Sequence, residues 1–168
     1  MSSSLPTDGV AATLRRSLEA LRAGDLAAWE PLPARAGRDD LDAAAGPGQE
    51  VDDLLFNAAA VRRTYPPAAA LPFGLETWLQ GGELVLLEAR EPLVGDVAAA
   101  LGAPEAARPS GLGPGREQWL YPARGLVLHL DAAGERVIRL FGHEATTLAA
   151  LEGAPLLEVR RERIRPRG

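Results

Sequence analysis

The chain has two histidines, His129 and His143, and one serine, Ser110, close to the strand-like runs that carry them. An imidazole titrates near neutral pH, so His129, in the middle of Leu126–Leu130, could act as a general base or a binding contact. A histidine in that position also reads as a half-buried structural ring. His143 lies between Gly142 and Glu144 and would add a second nitrogen ligand, but no carboxylate pattern completes a metal set around the pair. Ser110 sits in Pro109-Ser-Gly-Leu-Gly-Pro-Gly115, without the strand-turn-helix setting of a nucleophile elbow, and a serine hydrolase is not expected. Gly111-Leu-Gly-Pro-Gly-Arg116 has the glycine density of a phosphate cradle. Pro114 removes one of the N–H groups such a cradle needs, and a strand follows where a helix should, so the run reads as a connector. Asp39, Asp40 and Asp42 lack calcium-loop spacing and read as solvated charges. Cysteine is absent, which excludes disulfides, thiolate metal sites and a thiol nucleophile. No catalytic set, metal or cofactor is expected.

The elements that position His129 run from Glu117 to Phe141 and read as a three-stranded antiparallel meander. Pro122 to Gly125 is one turn, and Asp131-Ala-Ala-Gly134, with Gly134 left-handed, is the other. Pairing Asp131 with Glu135 sets Leu128 opposite Ile138 and Leu126 opposite Leu140; across the first turn Tyr121 faces Leu126 and Trp119 faces Leu128. The core face then carries Trp119, Tyr121, Leu126, Leu128, Ile138 and Leu140, with Trp119 as its anchor. The other face carries Gln118, Leu120, Val127, His129, Val137, Arg139 and Phe141. Four apolar residues bordering an arginine suit a surface where proteins meet. Leu120, Val127, His129, Val137, Arg139 and Phe141 are therefore the expected binding residues.

Around this meander the periodicity predicts a first helix over about 9–23 from Val10, Leu14, Leu18 and Leu21, stopped by Gly24, with Asp25 capping a short helix. Residues 33–49, rich in Pro, Gly and Asp, read as a linker or mobile loop. A helix is expected over about 50–63, with Val51, Leu54, Leu55, Ala58 and Val61 as its stripe. A hairpin should follow about Gln80-Gly81-Gly82, then a helix from Glu91-Pro92 to Leu101 and a loop from Glu105 to Gly115. Thr146 or Thr147 caps a short helix, and Leu156 to Ile164 reads as a last strand or a loose end. The expected fold class is α+β, an antiparallel sheet of about five strands (a hairpin plus the three-stranded meander) with helices mainly on one face. Residues 1–32 form an N-terminal helical segment, 33–49 a linker, 50–159 the α+β core and 160–168 a basic tail.

Composition bounds the function. All 18 basic residues are arginine and the net charge is -5, which argues against bulk nucleic-acid binding. Residues 160–168 nevertheless carry +4, leaving -9 on the remainder. The arginine-only basicity fits a bacterial genome of high GC content. The opening Met-Ser-Ser-Ser-Leu-Pro-Thr lacks the charged start and apolar run of a signal peptide, and no apolar stretch approaches spanning length. A soluble cytoplasmic protein is expected.

Ala20-Leu-Arg-Ala-Gly-Asp-Leu-Ala-Ala-Trp29 resembles the helix-Gly-Asp-helix opening of the nuclear-transport-factor-2-like, cone-shaped fold. That resemblance implies a pocket between a curved sheet and the N-terminal helices. The unit from Leu93 to Leu140 resembles the small domains of the outer-membrane assembly lipoprotein and β-lactamase-inhibitor protein, which implies protein binding. The expected function is a non-enzymatic protein-binding module, of adaptor or immunity-protein type, using an exposed sheet face. A small-molecule-binding protein or enzyme with the cone-type pocket is the other reading.

Overall fold

A helical stripe and a Gly stop build the first element of the computed structural model, which describes residues 7–66 and 73–158. Leu14, Leu18 and Leu21 of α1 (Thr7–Ala23) are buried on one side. Gly24 ends the helix at φ 71°, and a Cβ there would meet the Leu93 carbonyl oxygen at 2.5 Å. Asp25 then caps a 3₁₀ turn at Leu26–Ala28 by accepting from the Ala27 N–H. Inside the segment read as a linker, Arg38–Ala45 forms α2, with Leu41 buried. The Asp40 carboxylate accepts the Gly37 N–H at its start. Leu41, with Ala44 and Ala45 packed beside it, and one cap outweigh the loop-forming composition.

The sheet is larger than its sequence suggests. Among the described residues it has eight antiparallel strands rather than about five, in the order β1-β2-β3-β4-β8-β7-β6-β5. These are β1 (Gln49–Leu55), β2 (Ala58–Tyr65), β3 (Gly74–Gln80), β4 (Glu83–Arg90), β5 (Ala106–Pro109), β6 (Glu117–Tyr121), β7 (Leu126–Leu130) and β8 (Val137–Gly142). Two four-stranded meanders thus meet where β4 pairs with β8, a seam running from Leu87↔Gly142 to Arg90↔Arg139. The α+β class stands as read.

Three of the additional strands replace expected helix or loop. Residues 50–63 are a hairpin, not a helix. Phe56 and Asn57 take φ of 51° and 67°, the two left-handed positions of a type I′ turn. The spacing Val51, Leu54, Leu55, Ala58, Val61 fits a helix, but pairing β2 against β3 buries Tyr65 and Ala60, which an isolated amphipathic helix would leave to a separate surface. The expected loop after Glu105 contains β5, which completes the outer edge of β6. The helix expected from Pro92 begins later, as α3 (Val97–Leu101): Asp96 supplies its cap, and the Gly95 N–H is turned to the Gly24 carbonyl. Gly102 follows at φ 76°, where a helix-ending glycine belongs. Beyond α4 (Leu148–Glu152), Pro155–Glu158 is a 3₁₀ turn; the rest of the expected last strand, and the basic tail, lie outside the described residues.

The central meander pairs Trp119 with Leu128 and Tyr121 with Leu126 as its pattern predicts. Between β7 and β8 the register differs: Leu128 faces Leu140, His129 faces Arg139 and Leu130 faces Val137, leaving Ile138 as an extra residue at a bulge. The shift carries Val137 to the face of Leu128 and Leu140. Alternation alone did not contain the bulge.

Two cores result. One face of the sheet packs under α1, α2 and α3, joining Leu14, Leu21, Trp29, Leu41, Val97, Leu126 and Leu140. The opposite face packs Leu86, Leu120, Val127 and Phe141 with Leu151 and Leu156. Helices therefore lie on both faces, the second covered by α4 and the 3₁₀ turn after it. Trp119 is only partly buried, at the margin of the first core; the fully buried tryptophan is Trp29.

Candidate functional site

Strand alternation puts His129, Arg139 and Phe141 on one face of the sheet with Glu88 and Arg90 of β4, since Phe141 pairs with Glu88 and Arg139 with Arg90. The ladder continues outward through Glu76 and Trp78 of β3, Arg62 of β2 and Val51 and Asp53 of β1. Across these strands runs a diagonal ribbon of alternating charge. Asp53 pairs with Arg62 at 3.1 Å, Arg62 with Glu76 at 3.5 Å, and Glu76 with Arg90 at 3.7 Å. Arg90 reaches Glu88 at 3.7 Å, and Glu88 holds Arg139 in a close ion pair.

The inner end of the ribbon is buried. Glu88 is pushed above the usual carboxylate range by burial, against the pull of Arg139. His129 is fully buried and held to about 4, first by burial and second by the adjacent Arg139 guanidinium. The Ser110 hydroxyl lies 2.8 Å from His129 Nδ1 and also accepts the Leu112 N–H. In the tautomer that takes the serine proton, the ring proton sits on Nε2, which has no hydrogen-bond partner among the described residues. The ring packs edge-on against Phe141, with centroids 5.6 Å apart.

Ser110 and His129 therefore meet, which their sequence settings did not show. The pair is enclosed, with Ser110 only 8% exposed, and its contact satisfies the buried hydroxyl and Nδ1 but not Nε2. His143 is also buried; its Nδ1 donates to the Glu144 carbonyl at 2.6 Å, and its own carbonyl accepts the Leu32 N–H. Burial lowers it as well. Among the described residues no cluster of three or more His, Asp or Glu is arranged to hold a metal ion.

His129 links folding to pH. Its folded pKa of about 4 lies below the ordinary value of 6.5, so the unfolded chain takes up a proton first as pH falls. The stability it lends is complete above about pH 6.5 and is lost on the way down to about 4, a change on the order of 3 kcal/mol. Glu88, shifted up, works in the opposite sense. The expected result is a stability profile in urea that falls between pH 6.5 and 4, and a shallower fall in His129→Gln, which keeps a hydrogen-bonding group beside Ser110.

The six residues expected to form an open binding strip are placed otherwise. Leu120, Val127 and Phe141 are in the second core, beneath α4 and Pro155–Glu158. Val137 is in the first core on the opposite face. His129 is buried on the Phe141 face against Ser110, and Arg139 is the one that borders the uncovered region, its side chain 15% exposed. A strip of this apolarity was covered because α4 and the following turn supply Leu151 and Leu156 to cover it. What remains accessible on β1 to β4 is the margin around Val51, Arg62, Trp78 and Arg90, since Leu55, Ala60 and Leu86 of the same face belong to the second core. Val51 is half exposed there, Arg62 lies 5.9 Å from the centre of the Trp78 ring, and Arg90 is 45% exposed. Sequence pattern alone does not single out Arg62, Trp78 and Arg90, because residues 50–63 carry helical spacing that hides the neighbour of β3.

The region between the sheet and the N-terminal helices, where a cone-type pocket would open, is filled by Leu14, Leu18, Leu21, Leu26 and Trp29. Among the described residues no helix is long and apolar enough to cross a membrane. No family model matches the chain, and no curated protein or solved structure is similar to it at significance.

Proposed function

We propose that the chain is a non-enzymatic protein-binding module whose contact surface is the accessible β1–β4 part of the sheet face, bordered by Arg139. One observation carries this reading: Arg62 lies over the half-buried Trp78, at the margin of the second core, beside the exposed Val51 and Arg90. Trp and Arg are the side chains most enriched at the energetic centre of protein interfaces. The ionic ribbon holds the arginine heads in place, so little side-chain freedom is lost on contact.

The adaptor or immunity-protein character belongs to this proposal, as does a location in the cytoplasm. A photo-crosslinking residue at position 90 should capture a discrete protein in cells expressing the chain, and one at position 19, on α1, should not. In the purified complex, Trp78→Ala should weaken affinity at least tenfold with an unchanged circular dichroism spectrum. Equal capture at both positions, or unchanged affinity, would refute the proposed face.

A further inference from the structure

The two edges of the sheet differ in how they are protected. β5, at one edge, is four residues long, ends in Pro109 and is tied down by an ion pair between Arg108 and Glu152. Those are the means by which proteins blunt a free edge. β1, at the other edge, is seven residues long with no proline, and its first six residues are all exposed. The three exposed large apolar side chains of the described chain are Val51 (50%), Leu54 (63%) and Leu93 (76%), so two of the three are on β1. The register puts them on opposite faces: Val51 faces Arg62 on the Trp78 side, and Leu54 faces Ala59 on the α2 side. A strand added alongside β1 would cover both at once, which contact with either face alone would not.

The charges say what kind of strand fits. Glu50, Asp52 and Asp53 make β1 acidic. Glu50 is matched by Arg38 and Arg63, and Asp53 by Arg62. Asp52 has no such partner among the described residues. It lies on the face of Leu54 and opens onto a groove lined by Ala59, Val61, Leu79, Gly81 and Arg38, whose guanidinium is engaged by Glu50. A cation from an incoming strand would satisfy Asp52 there, while the flanking apolar side chains pack on Leu54 and on the groove.

We propose that the outer edge of β1 receives an extended segment of a partner protein by strand addition, which displaces the Asp53 carboxylate from the Leu54 N–H it now accepts at 2.7 Å, with an arginine or lysine seated against Asp52 and apolar residues against Val51 and Leu54. The backbone supplies the affinity and the alternate side chains the selectivity. This deepens the protein-binding reading above, and names the chemistry of the partner. A second copy of the chain is the less suited occupant, since it would bring another acidic strand to an acidic strand.

The test uses the full chain and a fluorescein-labelled peptide of alternating arginine and valine, followed by anisotropy. Controls are the same peptide with glutamate for arginine, and with alternate backbone nitrogens methylated. The expected result is saturable binding of the basic peptide, at least tenfold weaker for the acidic and methylated forms, and at least tenfold weaker for the basic peptide on Asp52→Lys. Equal binding of the methylated peptide would overturn strand addition in favour of charge alone, and no binding of the basic peptide would overturn the site. Dimerisation of the chain that increases in Asp52→Lys would assign the edge to a second copy. Tighter peptide binding after Arg160, Arg161 and Arg163 are changed to serine would assign it to the chain's own C-terminal segment. The peptide has no folded surface, so it reads the edge separately from the face. Peptide binding without a crosslink at position 90 would sink the face reading and leave the edge, and the reverse would do the opposite.

Discussion

Trp29→Ala should cost about 3–5 kcal/mol in a urea titration followed by circular dichroism. The indole is 1% exposed. Its Nε1–H donates to the Arg124 carbonyl at 3.0 Å, and the Arg124 guanidinium donates back to the carbonyls of Leu26, Ala27 and Trp29. These bonds fasten the end of the N-terminal segment to the turn between β6 and β7. The ring also needs Gly142, where a Cβ would come within 2.7 Å of Cζ2. Alanine at position 29 therefore opens a large cavity and unpairs a buried carbonyl. Trp119→Ala should cost distinctly less, because that ring is partly exposed and its Nε1–H reaches only the neighbouring Glu117 carboxylate. Equal losses for the two would mean that the fully buried ring is not the anchor.

Arg139→Ala should cost about 3 kcal/mol at neutral pH. It leaves Glu88 with a side chain 8% exposed and, among the described residues, only the more distant Arg90 to balance it. The sign of its pH dependence is distinctive. Glu88 is already shifted upward by burial and loses the charge that opposed this, so it protonates more readily in the variant. The deficit against the parent chain should shrink as pH falls toward the carboxylate range. His129 moves the same way, since removing the guanidinium relieves one of the two causes that hold it low. Replacing both members of the pair, as in Arg139→Met with Glu88→Leu, should cost much less than Arg139→Ala. Thermodynamic cycles in urea at several pH values would measure this, and additive losses would show that the pair is not coupled.

The parts of the fold that were legible in the sequence are those set by local chemistry. The stripe of α1, the Gly24 stop, the Asp25 cap and the Gly81-Gly82 hairpin each follow from a few neighbouring residues. So does the facing of Trp119 and Leu128, because a tight turn fixes that register. What was not legible depends on distant partners. Ala58 to Val61 is as compatible with a helix as with a strand until β3 lies beside it. Ala106–Pro109 has no strand signal of its own and is a strand because β6 has an unfilled edge. The strip from Leu120 to Phe141 was read as apolar, and it is, but its cover comes from Leu151 and Leu156, short apolar elements beyond a turn. The Ser110–His129 contact spans a glycine-rich connector whose path no spacing rule specifies.

The seam between β4 and β8 also bears on the order of assembly. Within each meander every strand pairs with its sequence neighbour, so those contacts close short loops and can form early. The seam brings Leu87 to Gly142 and Arg90 to Arg139 across a long stretch of chain, so its closure entropy falls late. Glu88 and Arg139 sit in that seam and lose most of their water only when it shuts. Folding thus separates into two locally encoded halves and one joining step with a built-in electrostatic cost. Amides of the seam should then exchange with solvent through a joint opening that spares the interior of each half, and acid should ease the desolvation of Glu88 during that step.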